Sequence, residues 1–62
     1  MEQKIITLMK ELRKRGYEVE RKDHIKCVAV TFDTVDFIHL RFIQIEKHDL
    51  DYLIKYVRWM LS

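Results

Sequence analysis

The segment from Asp49 to Leu61 carries two apolar stripes on one helix, and a chain this short has to find cover for both. At roughly 100° per residue, Leu50, Leu53, Ile54, Val57, Met60 and Leu61 fall on one arc, with Asp51, Lys55 and Arg58 on a narrow wedge opposite. Tyr52, Tyr56 and Trp59 follow an i, i+4, i+7 spacing and form a second stripe, rotated away from the aliphatic one. A domain of 62 residues has too little mass to wrap a helix on two sides. One stripe is therefore expected against the domain's own sheet. The other is expected outside. There its rings either lean over neighbouring elements with their polar tips in water, or form a contact surface for a second copy or a foreign partner. Tyr and Trp concentrate at binding hot spots.

A single core of this size is marginal and normally needs a staple. Cys27 is the single cysteine, so no disulfide can close within the chain, and no Cys/His spacing of the zinc type is present. Dimerisation is then the remaining way to enlarge the core, which makes a homodimer the expectation. No apolar run approaches the roughly 18 residues needed to cross a bilayer. Glu2 and Lys4 stand where a signal peptide would be apolar. A reducing, cytoplasmic setting is expected, with no membrane contact and no cofactor. The chain has no proline and one glycine, hence no linker, tail or repeat, and reads as one domain over residues 1–62.

Residues 2 to 15 read as the first helix, with Ile5, Leu8, Met9 and Leu12 on one face. Gly16 ends it, and Arg13-Lys14-Arg15 suits the negative end of its dipole. Tyr17 to Arg21 alternates as a short strand with Tyr17 and Val19 inward. A two-residue turn at Asp23-His24 would pair Val19 with Val28 and Tyr17 with Val30. The second strand, Ile25 to Phe32, would send Val28, Val30 and Phe32 inward and leave Cys27, Ala29 and Thr31 outside. A third strand, Phe37 to Ile45, reached through a loop at Thr34 to Asp36, would set Val30 opposite Leu40 and Val28 opposite Phe42. His39, Arg41 and Ile43 would join the outer face, with a bulge or the end of pairing where Phe42 and Ile43 break the alternation. Glu46, Asp49 and Asp51 would surround the start of the closing helix. The expected fold class is α+β, a two-layer sandwich of order αβββα. Its three-stranded antiparallel sheet would have the middle strand central and both helices on one face.

The formal net charge is only +2, from twelve basic and ten acidic residues, which permits a nucleic-acid binder without diagnosing one. The basic side chains crowd the first half. Lys10, Arg13, Lys14, Arg21, Lys22 and Lys26 could contact phosphates, with His39 and Arg41 near bases or backbone. A solvated surface is the ordinary role of such a run. Glu46, His48, Asp49 and Asp51 offer oxygen and imidazole donors, but capping accounts for most of them, and no metal is expected. Cys27, in mid-strand, reads as a structural thiol.

The helix–three strands–helix order resembles the double-stranded-RNA-binding domain and, over most of the chain, the compact ribonuclease toxins of HicA-type toxin–antitoxin systems. Leu8-Met9-Lys10-Glu11-Leu12-Arg13-Lys14-Arg15-Gly16-Tyr17, then Arg21, then His24 at the first hairpin carry the likeness. The toxin resemblance implies His24 as the residue serving RNA cleavage. In that family, however, Gly-Ser precedes the histidine, where this chain has Lys22-Asp23, and the later helix lacks the family's Gly-Thr start. Nor does the closing helix begin with the lysine-rich phosphate clamp of the double-stranded-RNA domain. In length and element order the chain is also similar to small phage-encoded inhibitors. That similarity implies a phage or mobile-element regulator that works by occupying another protein. The leading expectation is a non-enzymatic interaction module using Tyr52, Tyr56 and Trp59. A nucleic-acid binder is the alternative, and a ribonuclease dependent on His24 is the third reading.

Overall fold

A computed structural model describes residues 1–62. The first helix, α1 (Glu2–Lys14), turns Ile5, Leu8 and Leu12 into the core. It closes at Gly16. The Tyr17 N–H donates to the Leu12 carbonyl and the Gly16 N–H to the Arg13 carbonyl, both at 3.1 Å. That paired closure places Gly16 at φ +93°, which a residue without Cβ adopts at little cost.

Three strands follow, β1 (Glu18–Lys22), β2 (Cys27–Phe32) and β3 (Asp36–Arg41), in an antiparallel sheet of order β1-β2-β3. The α+β class and the central middle strand are as the sequence predicts. Both registers differ from it by two positions. Val19 pairs with Val30 instead of Val28, and Arg21 takes the place opposite Val28. The expected two-residue turn is a 3₁₀ turn at Asp23–Ile25 closed by Lys26 in the left-handed region, φ 51°. In the second hairpin the loop falls one residue earlier, at 33–35, so Val30 meets Ile38 and Val28 meets Leu40. Asp33 and Thr34 both adopt positive φ there, 61° and 58°. A slip of two keeps every side chain on its face, which is why Val28, Val30, Ile38 and Leu40 still turn to the core. Phe32, expected inward at the end of β2, is instead 40% exposed, and Phe42 belongs to the helix that follows β3.

The third strand does not run on to Ile45. It stops at Arg41, and Phe42–Lys47 forms a helix, α2. The element order is thus αβββαα, one helix more than expected. Two bonds fix the start of α2. The Arg41 N–H donates to Gln44 Oε1 at 3.1 Å, and the Phe42 N–H donates to the Lys26 carbonyl at 2.9 Å. Glu46 therefore lies inside α2, not at the start of the closing helix. That helix, α3 (Leu50–Leu61), is capped by Asp49, whose Oδ1 accepts from the Tyr52 N–H at 2.8 Å. Lys4 ties α1 to the α2–α3 junction, its Nζ donating to the His48 and Glu46 carbonyls at 2.5 and 3.3 Å.

One apolar cluster joins α1 (Ile5, Leu8, Leu12), the sheet (Val28, Val30, Leu40), Ile45 of α2 and α3 (Leu53, Val57, Leu61). Tyr17, just before β1, packs against it with its ring 5.5 Å from Phe32. Cys27, Ala29 and Thr31 alternate onto the other side of β2, as predicted, yet Cys27 and Ala29 are buried. They are short side chains on the middle strand, flanked by Lys22 and Arg41 and by Glu20 and His39 respectively. The longer neighbours shield them.

Candidate interaction surface

The helical period decides which way the α3 side chains point. Leu53, Val57 and Leu61 recur at i, i+4, i+8 and are buried. Tyr52 and Trp59, seven residues apart, lie on the far side of the cylinder. Tyr52 is 48% exposed and Trp59 76% exposed. Tyr56 is the intermediate member, half-turned toward the core and packed on its edge. The three predicted residues therefore form one stripe, with its central ring partly sunk and its outer rings in water.

The stripe extends further than the sequence indicates. His48, the residue that ends α2, lays its imidazole 4.2 Å from the Tyr52 ring at an interplanar angle of 30°. Tyr52 and Tyr56 follow with centroids 6.3 Å apart and planes within 20°. The result is a ladder of three nearly parallel rings, an arrangement favourable beyond area burial. Beneath it lies a notch between α2 and α3, lined by Leu40, Gln44, His48, Tyr52, Leu53 and Tyr56. Its free volume of about 30 Å³ leaves room for a water or two. Trp59 stands apart beside Lys55, Arg58 and Ser62. Gln44 and His48 were missed because their role depends on α2. The available signal was Gln44 placed three residues after Arg41, the spacing of a side chain that accepts from the residue before a helix.

The predicted phosphate-binding residues are distributed, and some already have anionic partners. Arg21 forms a two-pronged pair with Glu2, Nη2 to Oε1 at 2.8 Å and Nη1 to Oε2, and its Nε reaches Asp23 Oδ1 at 2.8 Å. Its guanidinium carbon also lies 5.3 Å from the Phe42 ring centroid. The hydrogen bond to Glu2, then that to Asp23, raise the Arg21 pKa, and the same pair lowers that of Glu2. Lys14 and Arg15 share Glu11 at 3.3 and 3.0 Å, and the hydrogen bond from Arg15, then that from Lys14, lower the Glu11 pKa. Arg13 Nη2 donates to the Val19 carbonyl at 3.4 Å. Lys10 on α1 and Lys26, whose backbone closes the hairpin turn, are both exposed. Lys10, Arg13 and Lys14 are neighbours at i, i+3 and i+4 on the exposed side of α1, while Lys22, His39 and Arg41 share the side of the sheet that carries Cys27 and Ala29, together with Glu18 and Glu20.

His24 lies exposed on the 3₁₀ turn. Asp49 is engaged as a cap, and nowhere do three His, Cys, Asp or Glu side chains converge as a metal site would require. Cys27 is a buried free thiol. No helix is long and apolar enough to cross a membrane. No protein-family model matches the chain, and searches of curated proteins and of solved structures found no significant similarity.

Proposed function

We propose that this chain is a small non-enzymatic protein-interaction module whose contact surface is the aromatic stripe of α3, with Tyr52, Tyr56 and Trp59 as its anchors. One observation carries the reading. Tyr52 and Trp59 are 48% and 76% exposed on the side of α3 opposite Leu53, Val57 and Leu61. Large amphipathic rings held outward on a rigid helix offer much contact area at low conformational cost. The ladder from His48 to Tyr56 supplies a row of amphipathic rings, and the exposed Trp59 stands beside it.

Phosphate binding has less support. Arg21, Lys14 and Arg15 are already matched to carboxylates, and Lys22, His39 and Arg41 share their side of the sheet with Glu18 and Glu20. The test is a triple variant, Tyr52→Ala, Tyr56→Ala and Trp59→Ala, with folding checked by circular dichroism. Loss of association with a second copy or with proteins from the source cell is expected. A folded variant that kept the wild-type solution mass and every captured partner would remove the proposal.

A further inference from the structure

We infer that the partner seated on this stripe is a second copy of the chain, docked so that the two α3 helices run antiparallel about a twofold axis near Lys55 and Tyr56. The inference rests on the reading of the stripe as a contact surface and names its occupant.

The charge pattern of α3 is polarised along the helix. Asp49 and Asp51 sit at its start, and Lys55 and Arg58 in its second half. Asp51 and Arg58 are seven residues apart, hence on the same flank of the exposed face, and neither takes part in any of the chain's ion pairs. In a parallel pair about a twofold axis the flank that carries Asp51 and Arg58 faces the partner's opposite flank, so neither side chain meets the other copy's opposite charge. An antiparallel pair sets each Asp51 against the other copy's Arg58, twice, and opposes the helix dipoles. Charge alone therefore selects the antiparallel arrangement.

The shape of the stripe agrees with the same axis. In a twofold contact residue i meets j wherever j meets i. Trp59 and Tyr52 are also seven apart, an exposed indole and a ring of the ladder, so the axis that matches Asp51 to Arg58 brings each Trp59 over the other copy's Tyr52. The two midpoints differ by one residue, about 1.5 Å along the helix, well within side-chain reach. The notch beside Tyr52 is too small to admit an indole, so Trp59 lies across the ladder of rings instead of plunging into it. Lys55 falls near its own symmetry mate. Four residues after Asp51, it can turn toward that carboxylate. Two 12-residue helices in face contact bury about 1,000 Å², the low end for specific interfaces, which suits a reversible dimer.

Sedimentation equilibrium over a concentration series tests this. The wild-type chain should pass from monomer to dimer. Asp51→Lys and Arg58→Glu, each at an exposed position, should each weaken dimerisation by tenfold or more, because each creates two like-charge contacts. An equimolar mixture of the two variants should dimerise as the wild type does, since the mixed pair restores opposite charges at both contacts. A misfolded variant could not be rescued in this way. A wild-type chain that stays monomeric, or variants that dimerise normally, or a mixture no stronger than its components, would overturn the inference. A monomeric wild type whose triple alanine variant loses a foreign partner removes the second copy and leaves the interaction module standing. If the triple variant loses nothing, both readings fall.

Discussion

Ile43 and Ile45 are two residues apart, and their fates distinguish a helix from a strand in that segment. In a strand they would share one face and respond alike to truncation. In α2 they are roughly 200° apart around the axis, and the structure buries Ile45 completely, at 0% exposure, while leaving Ile43 56% exposed. Ile45 is the one buried residue of α2, in the cluster with Leu40 and Leu53. Ile45→Ala removes a side chain from a site walled by α1, the sheet and α3, where collapse is limited. The expected cost is about 2–5 kcal/mol. A core this small supplies about 3–5 kcal/mol in all, so the variant should be mostly unfolded or close to it. With a urea slope of about 1 kcal/mol/M, the midpoint should fall by about 2 M or more. Ile43→Ala should stay within about 0.5 kcal/mol of wild type. Should Ile45→Ala leave no folded baseline, Ile45→Val gives a measurable version, with an expected loss of about 0.5–1.5 kcal/mol. Urea titrations followed by far-ultraviolet circular dichroism make the comparison. Equal shifts for the two positions would refute the helical α2 and restore the extended strand.

Asp49→Ala should lower stability by about 1 kcal/mol, because it strips the acceptor from the Tyr52 N–H at the start of α3, and a thermal melt reads it. Acid should act through Glu2 and Glu11. Both carboxyl pKa values are lowered in the folded state, so their contribution is present above the unfolded value of 4.5 and is lost as pH falls through the folded one. The melting temperature should accordingly drop on acidification below pH 4.5, and less steeply in a Glu2→Gln, Glu11→Gln double variant. Retention on RNA or DNA columns at low salt should be absent. Binding that fell steeply with salt and required Lys22 and Arg41 would instead favour the phosphate-binding alternative.

How much was readable in advance depended on the length of each pattern. The 12-residue α3 has more than three turns, so the Leu53, Val57 and Leu61 arc and the separate ring stripe showed in the spacing. Met60, expected on that arc, is instead 45% exposed, and of the carboxylates expected around the helix start it is Asp49 that caps it. Gly16, the single glycine, marked the end of α1. The inward faces of β2 and β3 were legible because alternation fixes parity. The register was not, because a slip of two conserves parity, and the turns are made by Lys26, Asp33 and Thr34 at positive φ, where no glycine announces them. Phe42–Lys47 spans fewer than two helical turns, too short for its period to stand out from the end of a strand. Missing α2 also hid His48 and Gln44, which complete the ring ladder and the notch only because α2 folds back beside α3.

The proposal that the rings of α3 take up another molecule is read directly by Trp59, the only tryptophan. Its fluorescence, recorded from dilute to concentrated protein, should begin with the red emission of an indole in water. It should shift to the blue as the chain associates, along the same concentration curve as the solution mass. Blue emission already present at the lowest concentration would mean that the indole is packed within the monomer, and red emission unchanged while the mass rises would mean that the association uses another surface. Either result contradicts the account.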